Sequence, residues 1–100
     1  MSLPQLVLDG ARIHDLESFY DEVERVMTRG ARWGRNLDAF HDILRGGFGT
    51  PDGGFVLVWQ DSLSSQAALG SELFETLVDI VREHGPAGPE AEDNVRLRLD

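Results

Sequence analysis

The sequence predicts an α/β fold in which a three-stranded parallel sheet is covered by about four helices. The segment FVLVW, residues 55–59, is continuously apolar and rich in β-branched and aromatic side chains. Such a segment is typical of a strand buried on both faces of a parallel sheet. Helical patterns separate it from shorter apolar runs near both ends of the chain, and strands joined through helices pair in parallel with right-handed crossovers. The length of 100 residues suits one domain, which we expect to span residues 1–100.

The first strand and helix follow from the N-terminal third of the chain. The run QLVL at residues 5–8 ends at Asp9 and Gly10, a pair typical of turns. Asp15 can then cap a helix whose apolar residues recur with a period of 3.6. These residues are Leu16, Phe19, Tyr20, Val23, Val26 and Met27. The opposite face carries four acids, which we interpret as a solvated surface: Glu17, Asp21, Glu22 and Glu24.

A second, short helix is predicted between Asn36, a capping residue, and the stop signal Gly46-Gly47. Its inward side chains are Leu37, Phe40 and Leu44, flanked by Ala39 and Ile43. Its outer side carries Asp38 and Asp42, which project within about 40° of each other. Like charges at this spacing cost a few tenths of a kcal/mol, and Arg45 can recover part of that cost. The pair is therefore either a solvated helix face or a set of carboxylates that awaits a basic partner.

The C-terminal half completes the pattern. Residues 61–70 are predicted to form a short helix or an irregular connection. Ser71 is predicted to cap the last long helix, which ends at Gly85 and Pro86. We interpret residues 85–93, GPAGPEAED, as a flexible acidic connector. In the final strand, VRLRL at residues 95–99, alternation buries one face better than the other.

Composition narrows the classes of partner and compartment. Eighteen acids against nine basic residues give a formal charge of −9. This balance argues against nucleic acid or an anionic membrane as the partner, because phosphate binding requires Lys and Arg. It favours a cationic partner, or solubility alone. The chain has no cysteine, no signal-peptide pattern and no apolar run long enough to span a membrane, so we expect a cytoplasmic protein.

Motifs for catalysis are missing from the sequence. No glycine-rich stretch has the spacing of a phosphate-binding loop. The three histidines, His14, His41 and His84, are isolated in sequence, and none has metal-ligand spacing. A metal or acid–base role for His41 together with Asp38 and Asp42 is conceivable, but an exposed histidine on the helix face is the favoured interpretation. We therefore expect neither an enzyme nor a bound cofactor or metal.

The stretch WGRNLDAFHDIL, residues 33–44, resembles the barstar family of ribonuclease inhibitors. The family's hallmark is an aromatic residue followed by Gly-x-Asn-Leu-Asp-Ala-Leu-x-Asp. The segments LDGARIHDLESFYDEV, FVLVWQDS and LVDIVREHG agree with the family in order, so the resemblance covers nearly the whole chain. It implies the sheet-and-helix fold described above. It also implies an immunity protein that plugs the active site of a secreted guanyl-type ribonuclease, such as barnase or a related basic toxin.

The resemblance also implies roles for individual residues. By position, Asp42 matches the family's central aspartate, which occupies the phosphate site of the enzyme, and Asp38 matches a second acidic contact. Arg32 and His41 stand where the family type has a tyrosine and a tryptophan. Arg45 replaces a small polar residue, and added arginines would repel a cationic cleft unless they find acidic neighbours. The expected partner-binding residues are Asp38, Asp42, Glu83, Asn36, His41, Arg32, Arg45 and Gly46.

These departures leave a second interpretation open. The same fold can serve as an interaction module for another basic or nucleic-acid-processing protein, without ribonuclease inhibition. Binding experiments separate the two roles, because only an inhibitor blocks a ribonuclease and depends on Asp42.

Overall fold

Three parallel strands form the centre of the molecule. The structure is a computed structural model that describes residues 2–100. The strands are β1 (Gln5–Asp9), β2 (Phe55–Gln60) and β3 (Val95–Leu99). They lie in the order β1-β2-β3, and both pairings are parallel, with Leu8 opposite Trp59 and Trp59 opposite Leu99. The predicted three-stranded parallel sheet is confirmed, with FVLVW in its middle strand.

Burial follows the position of each strand in the sheet. Phe55, Leu57 and Trp59 on one face of β2 and Val58 on the other are each at most 1% exposed. In β3, by contrast, burial declines along the strand, from the buried Val95 to Leu99, which is 38% exposed. The central strand is therefore covered on both faces, as its uninterrupted apolar sequence predicts.

Four α-helices accompany the sheet, in agreement with the prediction. They are α1 (Leu16–Val23), α2 (Leu37–Arg45), α3 (Ser62–Leu69) and α4 (Ser71–Glu83). A π-helical turn, Glu24–Thr28, extends α1, and single 3-10 turns occupy Gly10–Arg12 and Ala91–Asp93. Asp15 caps α1 as predicted: its carboxylate accepts from the Ser18 backbone, while the Ser18 hydroxyl accepts from the Asp15 backbone.

Glu22 corrects the prediction that the acids of α1 form a solvated face. Its side chain lies between helix and sheet, and the residue is only 3% exposed. Its carboxylate accepts from the Asp9 backbone N–H at 2.8 Å and from the Arg25 Nε at 2.7 Å. A buried carboxylate needs such partners to offset its lost hydration. The arginine holds the pKa of Glu22 below its ordinary value.

Aromatic packing anchors α2 on the rest of the fold. Phe40 is fully buried and meets Phe19 of α1 edge-on, with ring centroids 5.2 Å apart. Phe19 in turn packs on Trp59 of the central strand, at 5.6 Å. Ile43, expected to flank the buried face, is fully buried instead. The buried face of α2 is therefore wider than the sequence pattern suggested, and the helix has little freedom to rotate.

Two predictions for the C-terminal half are wrong. Ser71 does not cap α4 but is its first residue, and Gly70 holds the capping position with a φ of +87°. Only a glycine separates α3 from α4, and that left-handed conformation suits a residue without a Cβ.

The acidic connector is also not a free linker. It forms the Ala91–Asp93 turn, and the Glu90 backbone N–H donates to the Glu83 carbonyl at 2.9 Å.

Candidate functional site

The helix α2 presents its carboxylates from a fixed frame. The Asn36 side chain accepts from the Ala39 backbone N–H at 2.8 Å and so caps the helix, as predicted. Gly46 ends the helix with a φ of +104°, a left-handed conformation that favours glycine. Phe40, Ile43 and Leu44 bury one side of the helix in the core. The opposite side therefore faces solvent in a defined orientation. It carries Asp38, Asp42 and Arg45, and we call it the α2 surface.

Asp38 and Asp42 are both exposed on the α2 surface. Asp38 lies in the first turn, where the positive end of the helix dipole stabilises an anion. Asp42 lies one turn later, and its side chain is 59% exposed. It accepts from the Arg45 Nη1 at 2.8 Å, which offsets the unfavourable position of a negative charge in the C-terminal half of a helix. Both carboxylates are accessible to a cationic partner.

Arg45 is held by two carboxylates rather than one. Its Nε and Nη2 donate to the two oxygens of Glu90, at 2.7 and 3.1 Å, while Nη1 donates to Asp42. This bidentate pairing lowers the pKa of Glu90 and raises that of Arg45. The two carboxylates offset the charge of Arg45, so the arginine repels a cationic partner less. Glu90 lies beside the α2 surface, and the sequence did not suggest it as a site residue.

His41 does not occupy the exposed helix face predicted for it. Its side chain is 19% exposed and turns toward the end of α4. Its Nδ1 lies 2.7 Å from the Nε2 of His84, and its Nε2 lies 3.7 Å from a carboxylate oxygen of Glu83. Glu83 and His41, both expected to contact a partner, are therefore neighbours of each other.

His84 is completely buried and lies beside His41, so two histidines that are isolated in the sequence are neighbours in the structure. Its Nδ1 lies 2.7 Å from the Asp93 carboxylate, and its Nε2 is 3.7 Å from Glu90. The acidic connector thus folds back over His84 and joins the α2 surface through Glu90. The two histidines are 43 positions apart, so no local pattern could have paired them.

The loop before α2 is fixed to α1 by an arginine and a tryptophan. Arg35 pairs with three carboxylates of α1 and the following turn, those of Glu17, Asp21 and Glu24, at 2.8, 3.0 and 2.6 Å. The Trp33 Nε1 donates to Glu24 at 3.0 Å, and its ring meets Tyr20 edge-on at 5.3 Å. The predicted solvated acidic face is therefore confirmed for Glu17 and Asp21, which stay exposed, but not for Glu22 and Glu24. Arg32 stays exposed in this loop.

A comparison with known protein families identifies the family of this chain. The model of the family described as Barstar (barnase inhibitor) matches residues 3–100, nearly the whole chain. The chain belongs to the barstar family. None of the curated proteins matches this chain. Membership supports, in general terms, a role like that of a barnase inhibitor, and the family is one of protein inhibitors rather than enzymes.

Within this barstar-family protein, most residues expected at the site lie on or beside α2. Five of them form the α2 surface and its two ends: Asn36, Asp38, Asp42, Arg45 and Gly46. His41 and Glu83 form a neighbouring group under the connector, and Arg32 lies in the preceding loop. No helix among residues 2–100 is long and apolar enough to cross a bilayer.

Proposed function

We propose that this protein is a cytoplasmic immunity protein that inhibits a secreted, basic guanyl-type ribonuclease by placing α2 in its active site. The observation that supports this most strongly is the pair of exposed carboxylates, Asp38 and Asp42, on a helix capped at both ends and buried along one side. A ribonuclease cleft binds phosphate through cationic side chains. A carboxylate held on a rigid helix can take the place of that phosphate through charge-assisted hydrogen bonds.

Rigidity is central to this proposal. A side chain that is already in its bound orientation loses less conformational entropy on association. The Asn36 cap, the Phe40 anchor and the Arg35 ion pairs hold α2 and its preceding loop against α1. The formal charge of −9 would also speed encounter with a basic enzyme.

Arg45 changes how Asp42 is presented to the enzyme. In the free protein, one carboxylate oxygen of Asp42 accepts a hydrogen bond from Arg45, and the carboxylate of Glu90 accepts another from the same guanidinium group. A cationic cleft therefore meets a group in which two carboxylates surround one arginine, with a net charge of −1. Asp42 retains a second oxygen for the enzyme, so the arginine reduces its negative potential without blocking it.

The test is an inhibition titration in which barnase cleaves an RNA substrate in the presence of increasing amounts of this protein. We expect activity to fall as inhibitor is added, and to recover when the inhibitor carries both Asp38→Ala and Asp42→Ala. Circular dichroism of the double variant confirms that its fold is retained. If neither barnase nor any other guanyl-type ribonuclease is inhibited, the proposal is wrong.

A second role is favoured by one feature of the surface. Arg32 and His41 replace two aromatic side chains of the family type, so the side chains around α2 differ from those that the family type offers to its enzyme. A pull-down from the native cell and its medium distinguishes the roles. Capture of a ribonuclease supports inhibition, whereas capture of another basic or nucleic-acid-processing protein, with no effect on ribonucleases, supports an interaction module.

A further inference from the structure

His41, His84 and Glu90 bring three potential metal ligands to one point between α2, the end of α4 and the connector. One potential ligand atom from each residue lies within 4.8 Å of the other two. The His41 Nδ1 is 2.7 Å from the His84 Nε2, which is 3.7 Å from a carboxylate oxygen of Glu90. His84 is fully buried, and the side chains of His41 and Glu90 are 19% and 29% exposed. The group is thus enclosed on one side and open to small solutes on the other.

The outer nitrogen of each imidazole faces a carboxylate. The Nδ1 of His84 lies 2.7 Å from Asp93, and the Nε2 of His41 lies 3.7 Å from Glu83. Histidines that ligate metals in proteins almost always present their second nitrogen to such a group, which fixes the tautomer and makes the ligating nitrogen more basic. Protons on the two outer nitrogens leave both inner nitrogens with lone pairs that point toward each other.

Two ring nitrogens 2.7 Å apart need a proton or a metal ion between them. A proton meets this need either as an N–H···N hydrogen bond between two neutral rings or by charging one ring. A divalent metal meets it as well, because neutral imidazole is a preferred ligand of Zn²⁺ and a carboxylate oxygen is a common third ligand. The ligands of a tetrahedral zinc ion with bonds of 2.0–2.1 Å are about 3.3 Å apart. The rings would therefore need to separate by only about 0.6 Å.

We propose that His41, His84 and Glu90 form a binding site for a divalent transition metal, with Zn²⁺ as the ion that suits its ligands best. His41 binds through Nδ1, His84 through Nε2 and Glu90 through Oε2, with the fourth position left to water. Glu90 Oε1 keeps the hydrogen bond that the Arg45 Nε donates at 2.7 Å, while Oε2 exchanges the 3.1 Å hydrogen bond from the Arg45 Nη2 for the metal. The metal would join α2 to the connector and hold His41 beside the neighbouring Asp42.

The test uses Zn²⁺ alone, without a ribonuclease, so its outcome is independent of the proposed inhibitor function. Isothermal titration of the wild-type chain should give one bound Zn²⁺ per chain. Thermal unfolding should shift upward by about 10–20 °C at a free Zn²⁺ concentration 100-fold above the dissociation constant, and a chelator should reverse the shift.

Variants assign the site. Loss of a carboxylate that holds a ligating histidine typically weakens metal binding about 10- to 100-fold, which is the effect we expect for Asp93→Asn. Loss of a ligand in His41→Ala should weaken binding by at least about 100-fold. Glu90→Gln keeps the side-chain volume and should also bind less tightly than wild type. His14→Ala removes an exposed histidine outside the cluster and should bind Zn²⁺ as the wild type does.

His84→Ala is a poor test, because the loss of a buried side chain can unfold the chain by itself. A spectroscopic measurement replaces it: Zn²⁺ should shift the imidazole resonances of His41 and His84 in the wild-type protein and leave those of His14 unchanged. The proposal is overturned if Zn²⁺ produces no thermal shift in the wild type, or if His41→Ala binds Zn²⁺ with wild-type affinity.

Discussion

The carboxylates on and around α1 and α2 include two groups, those that hold an arginine of the same chain and those that stay exposed on α2. Glu22, Glu24 and Glu90 belong to the first group, with arginine nitrogens 2.6–2.7 Å away. Asp38 and most of Asp42 belong to the second. Helical periodicity predicted that Asp38 and Asp42 share an exposed face. It could not distinguish Glu22 from its exposed neighbours, because burial of that side chain depends on Asp9 at the end of β1.

Substitution of Glu22 tests whether an arginine-paired carboxylate stabilises the fold. Glu22→Ala should lower the free energy of unfolding by about 2–3 kcal/mol, because it leaves the Asp9 N–H and the Arg25 guanidinium without their charged acceptor. Urea denaturation measures the loss. Glu75→Ala, at an exposed position of α4, should change stability by no more than about 0.5 kcal/mol. Equal effects of the two substitutions would show that Glu22 is not a structural carboxylate.

Helices and strands were predicted well where local signals agree with tertiary contacts. The limits of α2 follow from Asn36 and Gly46, and both residues hold the capping positions expected of them. At Ser71 the local signal failed, because the preceding Gly70 takes the cap and α3 ends directly against α4. The pairing of His41 with His84 depends on where two helices meet, which no pattern within either helix determines.

The cap of α2 can be tested without touching its acidic side chains. Asn36→Ala should destabilise the protein by about 1 kcal/mol, within a range of about 0.5–2, because the Ala39 N–H loses its acceptor. Asn36→Ser, which preserves a capping oxygen, should stay close to wild type. Thermal unfolding of the three proteins under identical conditions measures the difference. An alanine variant as stable as the serine variant would mean that the cap does not hold α2 in place.

For the molecule as a whole, ion pairs make stability depend on acid pH. Arginine contacts hold the pKa values of Glu22 and Glu90 below the ordinary value of 4.5. A carboxylate whose pKa is lower in the folded state stabilises that state above the unfolded pKa, and this contribution is lost as the pH falls through the folded pKa.

The urea midpoint should therefore hold steady from pH 7 down to about 5 and fall below about pH 4.5. The Glu22→Gln variant should show a weaker decline, since it has one such carboxylate fewer. A midpoint that stays constant down to pH 3 would contradict the role assigned to these ion pairs.

Inhibition through α2 is tested most directly by the dissociation constant of the complex with barnase, measured for the wild type, Asp42→Ala and Asp79→Ala. Asp79 is an exposed acid of α4 outside the α2 surface. Truncation of one partner in a buried interfacial charge pair costs about 2–5 kcal/mol, a range for which the barnase–barstar complex is itself a source. We expect Asp42→Ala to bind at least about 30-fold more weakly than wild type, with Asp79→Ala unchanged. Tight binding that Asp42→Ala leaves intact would mean that α2 does not enter the active site through Asp42.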